Sequence, residues 1–320
     1  MTALTVIQNQ QTAVAIRPDE LETAKGYLAC QLSPATKSAY LSDGRIFVAW
    51  CDERGYPPLP ASPEVVATFL SESAREGRKY ATISRRAAAI NFAHVSAGLD
   101  SPTKSHIVGG MLQGIRRNVG VAPVKKAPAT AAKIREMVRL CPDTLAGKRD
   151  RALLLLGFAG AFRRSELVAL AVADVAEESA GLRVTIRQSK TDQEGRGQTI
   201  AIARGEVHCP VAALLDYLQA SGIKEGPIFR SANKWGSLRA SPLNTAAVAT
   251  TVKHYAELAG FDPAEFAGHS LRSGFLTSAA ENGANIFKMM DVSRHRSVDT
   301  VRGYVRHADA FKNHAGAGLL

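Results

Sequence analysis

The sequence predicts a mainly α-helical protein of two domains, with one small β-hairpin sheet in the second domain. Helices are indicated by two start signals, Ser33-Pro34 and Ser62-Pro63, and by apolar residues that recur at steps of three, four and seven. A hairpin is indicated where apolar residues alternate over 182–186 and return over 199–202, with the turn segment SKTDQEGRG between them.

Four helices are expected in the first domain, each with an apolar stripe on one side. The first two begin at Ser33 and Ser62, and the other two run over about 82–97 and 105–117. The stripes consist, in order, of Tyr40, Phe47 and Trp50; Val65, Val66, Phe69 and Leu70; Ile83, Ile90 and Val95; and Val108, Met111, Leu112 and Ile115. This part of the chain is therefore expected to form a small helical bundle.

The second domain is expected to open with a helix over about 130–140. The next helix, over about 148–162, is nearly apolar on all sides after its first turn, which is typical of a helix buried in a core. A short helix over 163–171 and the β-hairpin follow. Residues 210–305 are expected to be mostly helical, so that helices dominate this domain too.

The domain boundary is expected in the segment NVGVAPVKKAP, residues 118–128, which contains two prolines and no apolar periodicity. We expect a flexible tail over 1–17, a helical domain over 18–118, a linker over 119–129 and a second domain over 130–320. A chain of 320 residues is long for one domain and comfortable for two.

The charge of the chain favours a polyanionic partner. Forty Lys and Arg residues face 29 Asp and Glu, a formal net charge of +11. Nucleic acid is the first candidate because phosphate neutralisation dominates its binding. A membrane surface is not favoured, because the sequence has no lipidation motif, no basic amphipathic anchor and no apolar run long enough to span a bilayer.

Cysteine usage and the N-terminal residues predict a cytoplasmic protein without a metal site. The four cysteines, Cys30, Cys51, Cys141 and Cys209, are widely separated and form no Cys-x-x-Cys pair. They are expected to be free thiols in a reduced compartment. The first residues lack the basic start and apolar core of a signal peptide.

Several polar residues stand where a plain core would not need them. Arg163 directly follows the apolar run LLLLGFAGAF, and His269 and Arg272 lie at the start of an apolar helix. Tyr304 lies nine residues after His295 in HRSVDTVRGY. A planar, permanently charged guanidinium can bind two phosphate oxygens at once, so this set suits chemistry on a phosphodiester.

These segments resemble the tyrosine recombinases. The family pattern consists of Gly-x-Arg-x-Ser-Glu-Leu, a hairpin lysine, His-x-x-Arg at a helix start, and Gly-His followed by eight residues and tyrosine. The chain has AFRRSELVAL, QSKTDQ, GHSLRSGF and RHRSVDTVRGY, in that order. The first domain, with TKSAYLSDGRIFVAWC near its start, resembles the SAM-like core-binding domain of this family, particularly of its Cre-like members.

The resemblance implies a role for each residue that matches the pattern. Arg163 and Arg272 would clamp the non-bridging oxygens of the phosphate, where negative charge develops. Tyr304 would be the nucleophile and His269 its base, since a phenol has a pKa of about 10 and needs activation. His295 would hydrogen-bond the phosphate.

Two further residues have supporting roles in this scheme, and one neighbour has none. Lys190, at the hairpin tip, would protonate the leaving 5′ oxygen as a general acid. Glu166 would hold an arginine or a backbone group in place. Arg164, next to Arg163, is expected to be a cap or a surface charge.

The resemblance further implies a site-specific recombinase that acts as a homotetramer on two DNA duplexes, at a specific site that is an inverted repeat. A 3′-phosphotyrosine intermediate and a Holliday junction would form without ATP, metal or other cofactor, because the covalent link keeps the bond energy. The DNA-contacting residues are expected to include Lys79, Arg85, Arg86, Lys125 and Lys126. Residues 308–320 are expected to fray or to pack on a neighbouring protomer.

Two other functions remain open on the sequence. A type IB topoisomerase or a telomere resolvase would use the same Arg, Lys, His and Tyr chemistry, and relaxation of a supercoiled plasmid without a specific site would reveal the topoisomerase. A catalytically silent DNA-binding regulator would keep its activity when Tyr304 is replaced by phenylalanine.

Overall fold

Helices dominate the computed structural model, which describes residues 31–120, 126–187, 197–232 and 238–308. Contacts divide the chain into two compact units, with the division between Pro123 and Val124. The helices of the first unit are α1 (Pro34–Asp52), α2 (Pro63–Arg75), α3 (Tyr80–Ser96) and α4 (His106–Val119). In the second unit they are α5 (Ala131–Arg139), α6 (Leu145–Ala159), α7 (Arg164–Ala169), α8 (Pro210–Ser221), α9 (Thr245–Leu258), α10 (Ser270–Glu281), α11 (Ile286–Ser293) and α12 (Val298–Ala308).

Serine side chains cap three helices of the first unit. Ser33, Ser62 and Ser105 each accept a hydrogen bond, at 3.2–3.4 Å, from the backbone N–H three residues later. Each such cap satisfies one of the free N–H groups in the first turn and contributes about 1 kcal/mol. The two Ser-Pro signals therefore mark the helix starts that the sequence predicted.

An aromatic cluster forms the centre of this first unit. The ring of Phe69 on α2 lies 5.0 Å from the ring of Phe47 and 5.4 Å from that of Trp50, both on α1. The indole nitrogen of Trp50 donates to Glu72 at 2.8 Å, so its polar atom is satisfied although the ring is buried. Burial of these rings packs α1 against α2.

The predicted apolar stripe of α3 is partly wrong. Val95 is 54% exposed, whereas His94, one position earlier, is 1% exposed. His94 accepts a hydrogen bond from the Ala61 N–H at 3.0 Å and contacts the Ile90 carbonyl at 2.8 Å. The buried side of the helix continues from Ile90 by four residues to His94, because a fully hydrogen-bonded imidazole is tolerated in a core.

The second unit is built around α6, which is buried on all sides as the sequence predicted. Leu153, Leu154 and Leu156 are fully buried among side chains of α5, α8, α9 and α10. The end of this helix delivers the turn 160–163 to the functional site. No helix in the described part of the chain is long and apolar enough to cross a membrane.

The predicted hairpin is present as the second and third strands of an antiparallel sheet. The strands are β1 (Val175–Glu178), β2 (Gly181–Ile186) and β3 (Gln198–Ala203), in the order β1-β2-β3. Leu182 pairs with Ile202 and Val184 with Ile200, so the alternating residues share the buried face. The hairpin tip, with Lys190, lies outside the described residues.

Three strands were not predicted. The first, β1, reads VAEE and has no apolar alternation. The others, β4 (Arg230–Ala232) and β5 (Leu238–Pro242), form a separate two-stranded sheet. Such short and largely polar strands are stabilised by pairing with neighbouring backbone rather than by a hydrophobic pattern of their own. The mainly helical class, with a small antiparallel sheet, is confirmed.

Helix α10 approaches the segment before α5 very closely. The Ala129 N–H donates to the Ser270 carbonyl at 2.9 Å, and the Ala131 N–H donates to Ser278 Oγ at 2.8 Å. Between these two bonds lies Gly274, where any Cβ would overlap the Ala129 carbonyl group. A glycine is required here because backbone meets backbone.

Gly274→Ala is therefore expected to destabilise the second unit by about 1–3 kcal/mol, since the overlapping atom is backbone that cannot rotate away. Urea denaturation followed by circular dichroism measures this change. Gly109→Ala in α4 is the matched control, because its added methyl group would meet open space and should be neutral or stabilising. Equal stability of the two variants would contradict the proposed close packing.

Candidate active site

The turn that follows α6 places a backbone carbonyl at the centre of the site. Ala161 has a left-handed backbone, φ 45°, and its carbonyl oxygen accepts two hydrogen bonds. One comes from Arg272 Nη1 at 2.7 Å and the other from Arg294 Nη2 at 3.1 Å. Two arginines from distant parts of the chain are thus held on one atom.

Arg163 is fixed through both its backbone and its side chain. It stands at the N-cap of α7, where its N–H donates to Glu166 Oε2 at 2.9 Å and its Nη1 donates to Glu166 Oε1 at 2.6 Å. Burial disfavours the charged carboxylate, but the positive charges of Arg294 and Arg163 prevail and keep the pKa of Glu166 below its ordinary value. Glu166 is therefore ionised at neutral pH and holds Arg163 with a negatively charged carboxylate.

Arg272 lies on α10 and is only 1% exposed. Burial, then the charges of Arg163 and Arg294, lowers its pKa to about 9, so it stays charged at neutral pH. Its Nη2 atom lies 3.2 Å from Nε2 and 3.3 Å from Nδ1 of His295. A buried cation held mostly by neutral partners is well suited to bind an anion.

His269 is the N-cap residue of α10, and its side chain is exposed. Surrounding protein and then the charges of Arg272, Arg163 and Arg164 lower its pKa, so the imidazole is neutral at neutral pH. Arg164 is exposed and lies across Gly268, where any Cβ would overlap its side chain. Arg164 is thus a surface charge, as expected, but one beside the candidate base.

The hydrogen bonds of His295 assign its tautomer. Ser293 Oγ donates its single proton to the Met289 carbonyl at 2.6 Å, so it can only accept from His295 Nδ1 at 2.8 Å. Nδ1 therefore carries the proton, and Nε2 faces Arg272 with its lone pair. Burial, then Arg272, lowers the pKa of His295 to about 4, which keeps the ring neutral.

Tyr304 lies on α12 against a small apolar cluster. The cluster consists of Leu276, Ala280, Met289 and Val301, and Tyr304 packs on it half-buried. Burial raises the pKa of Tyr304, and the positive charge of Arg272 partly offsets that rise. The phenol is thus protonated at neutral pH and lies within the electrostatic reach of Arg272.

Two protein-family profiles match the sequence of this chain. The profile of the phage integrase family matches residues 129–310, and that of the phage integrase N-terminal SAM-like domain matches residues 26–94. The chain belongs to the phage integrase family. It is a tyrosine recombinase, an enzyme class that carries out site-specific DNA recombination, and the SAM-like identity of the first unit is confirmed.

Known proteins resemble this recombinase over most of its length. It is 38% identical to an integrase/recombinase XerD homolog of Selenomonas ruminantium over 299 residues, 91% of this chain and 87% of the relative. It is 25% identical to recombinase Cre of Escherichia phage P1, over 87% and 85% of the two chains.

Solved structures of recombinases share the fold. The Tn1549 transposon integrase in complex with transposon right end DNA superposes with a TM-score of 0.61 at 14% identity, covering 89% of this chain and 93% of the other. XerH bound to its palindromic difH substrate gives a TM-score of 0.58 at 16% identity, over 81% and 73% of the two chains.

The structure brings together most of the site residues named from the sequence. Arg163, His269, Arg272, His295 and Tyr304 act on one another through hydrogen bonds or charge, and Glu166 supports the first of them. Lys190 lies outside the described residues. Sequence reasoning missed Arg294, whose position directly before His295 was the available signal.

The residues expected to touch DNA occupy different environments. Lys79 is exposed; Arg85 is exposed too, but forms a two-point ion pair with the buried Asp43 at 2.7 and 3.1 Å. Lys126 is exposed and its Nζ donates to the Ala264 carbonyl at 2.6 Å. Lys125 lies outside the described residues.

Arg86 requires a correction. It is 5% exposed, donates to Ser73 Oγ at 2.6 Å and lies 5.4 Å from the centre of the Phe69 ring. Its position three residues after Ile83 and four before Ile90 puts it on the buried side of α3. Arg86 is therefore a core residue and is removed from the expected DNA contacts.

The depressed pKa of His295 predicts a pH-dependent stability. The unfolded chain binds a proton near pH 6.5 and the folded recombinase only near pH 4, so stability is present above 6.5 and is lost as pH falls toward 4. From about pH 7 to about pH 5, DNA-free protein should lose ~1–2 kcal/mol through this residue. Urea denaturation at the two pH values measures the loss.

His295→Gln should lose about 1–2 kcal/mol less than wild type between the two pH values, since glutamine does not titrate. The loss that remains comes from His269 and from carboxylates with lowered pKa values such as Glu166. An unchanged dependence on pH in this variant would show that His295 is not the group responsible.

Proposed function

We propose that this recombinase cleaves and rejoins DNA through Tyr304, with a 3′-phosphotyrosine intermediate. The observation that supports this most is the convergence of Arg163 and Arg272, held by Glu166 and the Ala161 carbonyl, beside two neutral histidines and a tyrosine. Two fixed cations can stabilise the negative charge that develops on the non-bridging oxygens of an attacked phosphate.

The reaction follows from the protonation states of the site. Tyr304 Oη attacks phosphorus and gives its proton to neutral His269, while the bond from phosphorus to the 5′ oxygen breaks. The 5′ oxygen takes a proton from Lys190, for which the hairpin tip is the proposed position. Phosphate charge near His295 favours protonation of Nε2, so that this ring becomes a donor to a phosphate oxygen.

Strand exchange needs no further energy source in this scheme. A phosphodiester is exchanged for a phosphotyrosine ester of similar energy, so a 5′ hydroxyl from a second duplex can reverse the step. Two such exchanges, through a Holliday junction, require four protomers on two duplexes. The palindromic substrate in the XerH structure supports an inverted-repeat target for this chain, because two-fold related protomers bind two-fold related half-sites.

The DNA surface is proposed to involve both units. Lys79 in the first unit and Lys125 and Lys126 within the proposed linker supply cations for phosphates, which position the duplex without reading its sequence. Arg85 is already paired with Asp43, so it contributes less charge than an unpaired arginine. A net charge of +11 adds long-range attraction.

Covalent capture tests the proposal. Wild-type protein is incubated with random-sequence duplexes nicked at varied positions, so that the short fragment carrying the newly formed 5′ hydroxyl diffuses away and cleavage cannot reverse. A protease-sensitive protein–DNA adduct is expected on a denaturing gel. Tyr304→Phe should reduce its amount at least about 10³-fold, since the nucleophile is absent.

The control is salt-sensitive DNA binding, which should be the same for wild type and Tyr304→Phe. Binding with no adduct at any sequence would favour the silent regulator. An adduct that forms equally on all sequences, with relaxation of supercoiled plasmid, would favour the topoisomerase.

A further inference from the structure

Arg294 has a backbone conformation that its residue type disfavours. Its φ is 58°, in the left-handed region, where L side chains other than asparagine and aspartate are uncommon. The recombinase pattern has glycine at this position, directly before the histidine. An arginine in such a backbone persists when its side chain makes compensating contacts.

The side chain of Arg294 makes those contacts entirely inside the protein. Its Nη1 donates to the Gly160 carbonyl at 3.0 Å, and its Nη2 donates to the Ala161 carbonyl at 3.1 Å and to Glu166 Oε2 at 2.7 Å. The guanidinium carbon lies 5.2 Å from the centre of the Phe162 ring. Arg294 thus ties the end of α11 to the turn 160–162.

The first consequence concerns Arg163. Glu166 carries one negative charge and faces two guanidinium groups, those of Arg163 and Arg294. With Arg294 present, its charge balances Glu166, and the charge of Arg163 remains available to a phosphate. Without Arg294, Glu166 would neutralise Arg163 and would lose one of the bonds that orient its carboxylate.

The second consequence concerns Arg272. The Ala161 carbonyl that fixes Arg272 Nη1 at 2.7 Å also accepts from Arg294 Nη2. Since Arg294 holds this turn at Gly160 as well, it fixes the acceptor on which Arg272 rests. We infer that Arg294 is a positioning residue for the phosphate clamp, which it serves through Glu166 and through Ala161. This inference rests on the proposed function of Arg163 and Arg272.

The test compares two forms of a duplex recovered by covalent capture, one with the ordinary scissile phosphate and one with an uncharged methylphosphonate there. On the ordinary duplex, Arg294→Gly is expected to slow adduct formation at saturating DNA by about 10- to 100-fold, with DNA affinity changed by less than about threefold. On the methylphosphonate duplex, Arg294→Gly should form the adduct only about threefold more slowly than wild type. The uncharged group develops less negative charge for Arg163 and Arg272 to stabilise. Arg294→Lys, which keeps the charge, should lie between Arg294→Gly and wild type.

A second variant isolates the pathway through Glu166. Adding Glu166→Gln to Arg294→Gly removes the charge that would neutralise Arg163, so part of the lost rate on the ordinary duplex should return. Arg86→Gln is the matched control, a buried arginine of the first unit. It should lower the melting temperature while leaving the ratio of rates on the two duplexes as in wild type.

The outcomes separate the two proposals. If Arg294→Gly slows both duplexes equally, or neither, the positioning role is overturned and the proposed function stands. If wild type forms no Tyr304-dependent adduct, both are overturned. Circular dichroism of each variant shows whether it is folded. If Arg294→Gly is unfolded, the ratio of the rates of Arg294→Lys on the two duplexes decides the question.

Discussion

The rest of the site depends on the ion pairs that one buried carboxylate, Glu166, forms with Arg163 and Arg294. Glu166 is 3% exposed and receives a backbone N–H and two guanidinium groups. A buried anion is costly unless it is paired and hydrogen-bonded, and this one is both. Its pairing fixes the direction of Arg163 and holds Arg294 near the turn that carries Arg272. The excess of positive charge that remains is what a phosphate would neutralise.

The same excess of positive charge affects the protonation states of His269, His295 and Tyr304. Both histidines are kept neutral by desolvation from the surrounding protein and by the charges of the arginines, so His269 can accept a proton from a nucleophile. Two effects act on the pKa of Tyr304 in opposite directions: burial raises it by favouring the phenol, and the charge of Arg272 lowers it by favouring the phenolate. A bound phosphate would change this balance, so the proposed reaction would begin only when DNA is bound.

The sequence predicted the helical class and the capped helix starts, because caps, periodicity and ordered motifs are local signals. It also named Arg163, Arg272 and Tyr304, which the structure brings together, and their catalytic roles remain predictions. Arg86 and Val95 were misassigned because two adjacent positions on a helix differ by about 100° in direction, and a single step reverses burial. Arg294 was missed since its role depends on Glu166, which lies more than a hundred residues earlier. The proposed limits of the tail, domains and linker remain predictions.

A crystal structure of Tyr304→Phe with an uncleaved duplex, of a sequence identified by covalent capture, tests the proposed phosphate clamp most directly. We expect the non-bridging oxygens of one phosphate to lie within hydrogen-bonding distance of the Arg163 and Arg272 guanidinium groups. The aromatic ring at position 304 should face that phosphorus from the side opposite the 5′ oxygen. A bound duplex whose phosphates touch neither arginine would contradict the proposal that Arg163 and Arg272 form the phosphate clamp.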